Sequence, residues 1–259
     1  MAKSKVEEAA TFFLEAKHAV ALTGAGHSTP SGIPDFRSPG SGLWSQVDPM
    51  EVASIQALYR DPKAWYAWYY ERGTMFLDAQ PNPAHEALAE LEEMGRLQAV
   101  ITQNIDNLHQ KGGSEKVIEL HGNTREAICL RCGDIIPARL LWERYVQERQ
   151  APRCEKCSGM MKPNVILFGE LLPEEALSAA WEETDKCDLM LVAGTSLEVT
   201  PAAHLPLMAR RRGAKLVIVN FQPTRADGYA EVVIREDVAE VLPKIAEICR
   251  KKRQTVRRL

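Results

Sequence analysis

The stretch His18-Ala-Val-Ala-Leu-Thr-Gly24-Ala25-Gly26-His27-Ser28-Thr29 carries a short apolar, β-rich run straight into a glycine turn. An apolar run of this length that stops at glycine reads as a buried strand delivered into a turn. Upstream, Val6 to Lys17 has helical spacing. Downstream, Asn82-Pro83 supplies an N-cap and a first-turn proline, and Ala84, Ala87, Leu88, Leu91 and Met94 recur at helical spacing up to Gly95. A second strand follows over Leu97 to Thr102. The alternation resumes with a helix from Pro173 to Glu183, a strand from Asp188 to Ala193, a helix from Ala202 to Arg212 closed by Gly213, a strand from Lys215 to Asn220 and a last helix from Asp237. Strands alternating with helices predict an α/β fold, a Rossmann-like doubly wound parallel sheet with ligands at the carboxyl ends of its strands.

Two stretches break the rhythm. Residues from about 36 to 80 are rich in Trp and Tyr at helical spacing, and residues from about 122 to 165 hold two C-x-x-C pairs. Both are expected to be insertions that together build a smaller domain beside the sheet. A chain of 259 residues has room for that division. Hydrophobic residues at 45% and charged residues at 26% describe an ordinary globular protein. Lys plus Arg (32) nearly cancel Asp plus Glu (35), which disfavours a general nucleic-acid binder. The basic tail from Arg250 reads as a solvated end, with a weak anionic contact as the other reading. No apolar run reaches membrane-spanning length and the first residues lack a signal-peptide core, so a cytoplasmic location is expected.

Four of the six cysteines form the pairs Cys129/Cys132 and Cys154/Cys157, separated by the 21 residues 133–153. Two such knuckles place four thiolates around one ion, and a set of four leaves no position for an activated water, so the expected metal is one structural zinc in a zinc ribbon. Cys187 and Cys249 read as packing residues.

Gly24-Ala25-Gly26-His-Ser-Thr29 begins like a dinucleotide fingerprint but has Thr29 where the third glycine would stand, and no acidic residue ends a strand about 20 positions on. Three further polar strand ends compensate: Thr102-Gln103-Asn104-Ile105-Asp106, Gly194-Thr195-Ser196 and Asn220. Backbone amides and hydroxyls at Gly194 to Ser196 suit phosphate, and Asn220 suits a ribose hydroxyl. The amides and carboxylate of residues 103–106 suit a carboxamide such as that of nicotinamide. Phe36 and Arg37 follow the glycine turn. His121, after the apolar run Val117 to Leu120, is a candidate general base at a strand end.

These motifs, with Gly24 to Arg37, Thr102 to Asp106, His121-Gly122, the two C-x-x-C pairs, Phe168-Gly169-Glu170 and Gly194 to Leu197 in this order, resemble the sirtuins, NAD-dependent protein lysine deacylases. The resemblance spans nearly the whole chain. It implies a large Rossmann-type domain (1–35, 81–121, 166–259) and a small domain of helical module (36–80) and zinc ribbon (122–165), with a cleft between them. It also implies that Ala25, Thr29, Phe36 and Arg37 line the NAD loop. Gln103 to Asp106 would hold nicotinamide and its ribose, while Thr195, Ser196, Asn220 and Val238 would contact the adenosine side. Ile166, Phe168 and Gly169 would face Leu197 to Val199 across an acyl-lysine peptide bound as an added strand. In the implied mechanism the acyl carbonyl oxygen attacks the ribose carbon as nicotinamide leaves. His121 then takes a ribose hydroxyl proton so that this oxygen attacks the imidate, and water releases lysine and acyl-ADP-ribose.

Tyr69-Tyr-Glu-Arg72 and Ala53 resemble the acyl-pocket residues of family members that prefer succinyl or malonyl lysine, since a terminal carboxylate needs a cation and a hydroxyl. Asp35 and the Ser-Thr-Pro-Ser loop resemble deacetylating members instead, so both acyl classes stand. Mono-ADP-ribosyl transfer, which shares the first step, is the alternative enzyme class. His27 stands where the family commonly has an aliphatic residue, and the sequence offers no account of it.

Overall fold

The computed structural model describes the backbone of residues 4–35, 40, 42, 45 and 47–257, and the side chains of all of these except 74, 75, 77 and 254–257. In chain order its elements are α1 (Lys5–Glu15), β1 (Ala19–Thr23), α2 (Pro49–Val52), α3 (Ile55–Arg60), α4 (Pro62–Asp78), α5 (Pro83–Glu93), β2 (Ala99–Thr102) and α6 (Leu108–Lys111). There follow β3 (Val117–Glu119), β4 (Gly122–Cys129), β5 (Ile135–Pro137), α7 (Ala138–Glu148), β6 (Met161–Val165), α8 (Glu174–Lys186), β7 (Leu189–Ala193), α9 (Leu205–Arg211), β8 (Lys215–Val219), β9 (Val232–Ile234) and α10 (Val238–Arg257).

Six strands form one parallel sheet in the order β3-β2-β1-β7-β8-β9. Alternate residues of its buried strands feed two cores, as the period of two requires. Ala19 and Ala21 of β1, Leu189 and Leu191 of β7 and Val217 and Val219 of β8 pack against α1, α5 and α10. Val20, Leu22, Met190, Val192, Leu216 and Ile218 face α8 and α9 on the other side. Strand order runs outward in opposite directions from β1 and β7, so the topological switch point lies between them.

The helix ends follow their chemistry. Ser4 and Glu7 form a capping box on α1. Asn82 caps α5 with Pro83 in the first turn, and Gly95 lies at φ +70 just beyond its end. The structure adds β9 and the short α6 to the elements read from the sequence. It also places α7 inside the loop between the cysteine pairs, where the sequence reading had only a ribbon.

A second sheet, β5-β4-β6, is antiparallel. Its residues share a core with the helices of 49–78: Leu58, Trp65, Tyr66 and Tyr69 pack with Ala127, Leu141, Tyr145 and Val165. The Tyr66 hydroxyl also donates to the Met161 carbonyl at 2.5 Å, tying α4 to β6. No helix among the described residues is long and apolar enough to cross a membrane.

Candidate active site

The carboxyl ends of β1 and β7 touch because their turns are glycine. Gly194 lies at φ +64, and a Cβ there would stand 2.2 Å from the His27 amide nitrogen. A Cβ on Gly24 would stand 2.7 Å from Thr195 Cβ, and one on Gly26 3.0 Å from the Gly194 carbonyl. No larger residue fits these approaches. The end of β2 joins the same place. Gln103 Nε2 donates to Thr195 Oγ1 at 2.9 Å, and Asn104 Nδ2 donates to the Gly24 carbonyl and to Ser28 Oγ, both at 3.0 Å. Ser28 Oγ in turn donates to Asp106 Oδ2 at 2.6 Å, while Asp106 Oδ1 accepts the Leu108 amide at 2.9 Å. Burial pushes the Asp106 carboxyl above its ordinary range, against the lowering pull of those two donors. Both of its oxygens are held, so its orientation is fixed. Ser28 was part of the quoted motif without a role, and it proves to be the buried link between Asn104 and Asp106.

His121 stands just past β3, with Nδ1 3.0 Å from the Gln103 carbonyl. A carbonyl only accepts, so this contact keeps the ring proton on Nδ1 and leaves the lone pair on Nε2. The His121 carbonyl accepts the Ile166 amide at 2.9 Å, which brings the strand leaving the small sheet alongside.

From Ile166 the chain is fixed on two sides. The Phe168 amide donates to the Ala53 carbonyl at 2.9 Å and the Ile55 amide donates to the Phe168 carbonyl at 3.0 Å. Lys162, only 2% exposed, pairs with Glu170 at 3.1 Å and donates to the Val165 carbonyl at 2.5 Å. Glu170 also accepts the Leu167 amide at 2.8 Å. Gly169 lies at φ +89 with Gln56 2.9 Å from where a Cβ would be. Opposite, Leu197 has φ +56 and its side chain is buried in the core, so it meets any ligand through its backbone. Val199 and Ser196 are half-buried.

Of the other residues read from the sequence, Thr29 Oγ1 donates to the Gly26 carbonyl, and the Ile105 carbonyl accepts from Thr124. Asn220 closes β8, and its Nδ2 donates to the Gln222 carbonyl. Val238 opens α10 with its side chain in the core. Phe36 and Arg37 lie outside the described residues. Ala25 is half-buried beside the glycine contact.

On α4, Tyr69 is stacked between Trp65 and Trp142, with ring centroids 4.7 and 6.0 Å away. Among the described residues its buried hydroxyl has no hydrogen-bond partner, nor have the indole nitrogens of Trp65 and Trp68. Arg72 lies 4.5 Å over the Trp68 ring and donates to the Trp68 carbonyl. Residues 65, 68, 69 and 72 share one stripe of the helix.

The four cysteines converge. Cys129 and Cys157 Sγ are 3.5 Å apart and Cys132 and Cys154 Sγ 3.8 Å, with all four within 4.8 Å. Zinc–sulfur bonds of about 2.3 Å set roughly 3.8 Å between thiolates in a tetrahedron, so the donor set fits a structural zinc. The Arg131 and Gly159 amides donate to Cys129 and Cys157 Sγ at 3.4 Å, as knuckle turns do.

The Sir2 family model matches residues 24–201. The chain belongs to the Sir2 family. A Sir2 relative from Caldivirga maquilingensis, named NAD-dependent protein deacetylase, is 48% identical over 91% of this chain and 90% of its own length. NAD-dependent protein deacylase 2 of Archaeoglobus fulgidus is also 48% identical, over 95% of this chain and 96% of its own. Among solved structures, a Sir2–p53 peptide–NAD+ complex has a TM-score of 0.86 at 43% identity, covering 95% of this chain and 98% of that one.

Proposed function

We propose that this Sir2-family chain removes acyl groups from protein lysines with consumption of NAD, giving nicotinamide and an O-acyl-ADP-ribose. The observation that carries the reading is His121, its proton held on Nδ1 by the Gln103 carbonyl, at the strand ends where Gly24, Asn104 and Asp106 are bonded together. NAD supplies the ribosyl electrophile and the nicotinamide leaving group. Gly24 to Gly26, Thr29, Phe36, Arg37, Gly194 to Ser196, Asn220 and Val238 are the residues we assign to it, with Gln103 to Asp106 at the nicotinamide end. His121 acts as general base through Nε2. A neutral imidazole with its lone pair on Nε2 suits a base.

The peptide lies between 166–170 and 197–199 as an added strand. The amides of Ile166, Leu167, Phe168 and Glu170 are already engaged, so pairing on that side uses carbonyls and the Gly169 amide. Ala53, Tyr69 and Arg72 bound the acyl end. The unpartnered Tyr69 hydroxyl and the Arg72 guanidinium over Trp68 favour acyl chains ending in a carboxylate, with acetyl as the other substrate class. The activity belongs in the cytoplasm, where cysteine pairs stay reduced and available to zinc.

The test is nicotinamide release from NAD with acetyl, succinyl and malonyl peptides side by side. Turnover of at least one, abolished in H121A, is expected. No release with any acyl group overturns the proposal, and protein labelled with ADP-ribose in place of acyl-ADP-ribose points to transfer instead. Replacing Arg72 by Met is expected to lower succinyl turnover at least tenfold more than acetyl turnover, and equal losses remove Arg72 from the acyl pocket.

A further inference from the structure

Three histidines from three separate elements meet on the far side of the Ser28–Asp106 bond. His27 lies in the 3-10 turn after β1, His85 in the first turn of α5 and His109 in α6. Their ring centroids are 4.6, 4.9 and 4.8 Å apart, and none is more than 1% exposed. Burial drives the His85 ring down to about 4 and the other two well below their ordinary range, so all three are neutral.

Their nitrogens are incompletely paired. Thr23 Oγ1 donates its own proton to Thr102 Oγ1 at 2.9 Å, so at 2.8 Å from His109 Nε2 it accepts. The lone pair of His109 is then on Nδ1, which has no partner among the described residues. Among the described residues neither ring nitrogen of His27 makes a well-formed hydrogen bond either, although the Ala84 backbone stands near enough to pull against the effect of burial. The free lone pairs of His27 and His109, buried side by side, suit a group that accepts lone pairs from imidazole.

We propose that His27, His85 and His109 bind one divalent transition-metal ion of the zinc type, at a site separate from the four-cysteine cluster. Neutral imidazole is a preferred ligand of zinc, cobalt, nickel and copper. Asp106, reached through Ser28, supplies negative charge behind the ligands. The ligand atoms lie within 4.8 Å of one another, against roughly 3.3 Å between nitrogens in a tetrahedral zinc site. Binding therefore tilts the rings inward.

His85 also changes tautomer. Its Nδ1 now accepts the Asn82 amide at 3.2 Å and its Nε2 stands 3.5 Å from Ser28 Oγ. Coordination through Nε2 moves the ring proton to Nδ1 and gives up the Asn82 bond. Asn82 donates through its side chain to the His27 carbonyl and also lines a surface hollow of about 410 Å³ with Pro30, Ser31 and Pro83. That places the cluster one residue behind solvent.

The test is metal content. The full chain and its H27L and H109L variants are equilibrated with zinc, dialysed and assayed, then reloaded with Co2+. The expected result is two ions per chain in the parent and one in each variant. The second cobalt should show nitrogen-ligand d–d bands without a thiolate charge-transfer band, and loading should speed exchange of the Asn82 amide. The cysteine-bound ion retained by each variant reports that it has folded. A parent chain that holds one ion at excess zinc overturns the proposal whatever the variants do. So does a second ion that H27L and H109L both keep.

Discussion

The four-cysteine cluster and the three-histidine cluster are built in opposite ways. The cysteines sit on two knuckles of one small sheet, each pair three residues apart, and Cys132 is exposed. The histidines come from positions 27, 85 and 109, each in a different element, and all are buried beside the main sheet. Two pairs of thiols stand at 3.5 and 3.8 Å, the spacing a tetrahedral ion needs, while the imidazole nitrogens, within 4.8 Å of one another, need close by at most ~1.5 Å. One cluster organises its fold around a metal. The other is organised by a fold that stands without one, because β1, α5 and α6 are held by the sheet and its cores.

That contrast has measurable edges. The largest effect is expected from C154S. It removes a ligand from a site whose zinc stabilises its surroundings by something on the order of 10 kcal/mol, so β4 to β6 should lose amide protection while the six-stranded sheet keeps its own. Simultaneous loss in both sheets would mean that the small sheet supports the large one. Next comes K162M. Glu170, half-buried, would lose its cationic partner, for a loss of about 1–3 kcal/mol in unfolding free energy and a raised KM for peptide with KM for NAD little changed. An unchanged peptide KM would show that the pair does not position 166–170. G159A should follow at about 1–3 kcal/mol with faster zinc loss, because the added methyl would lie 2.6 Å from Arg131 Cβ and 2.9 Å from Cys129 Sγ. Smallest is H27L in chain freed of any second ion: within about 1 kcal/mol of the parent, since no well-formed hydrogen bond among the described residues is lost and a polar ring leaves the core. A loss of several kcal/mol there would mean that His27 has partners in solution.

The same contrast explains what could be read in the sequence. A knuckle is local: Cys-x-x-Cys encodes its turn and its ligands in four consecutive residues, so the metal site was legible before any fold. The main sheet was legible because strands buried on both faces are continuous apolar runs, as at 189–193. β9 is three residues, too short to stand out, and α7 was hidden in a loop whose ends had already been explained by their cysteines. His27, His85 and His109 share no spacing at all. Only the return of β2 alongside β1 brings 109 to 27, and only the start of α5 lying against the turn after β1 brings 85. Ser28 is similar: its hydroxyl acquires a purpose only when Asp106, 78 positions on, lies 2.6 Å away.

The chain passes from the large sheet into the small one at His121-Gly122 and returns at Val165-Ile166, and these crossings are bonded side by side: Gly122 pairs with Val165, and the His121 carbonyl accepts the Ile166 amide. Gly122, at φ +73 with the Asn164 carbonyl 2.0 Å from where a Cβ would be, admits no other residue there. Mechanically this is a hinge pin. For any rocking of the small sheet about that pin, displacement grows with the lever arm, so the cysteine cluster travels far and His121 barely moves. His121 keeps its aim while the walls around it shift.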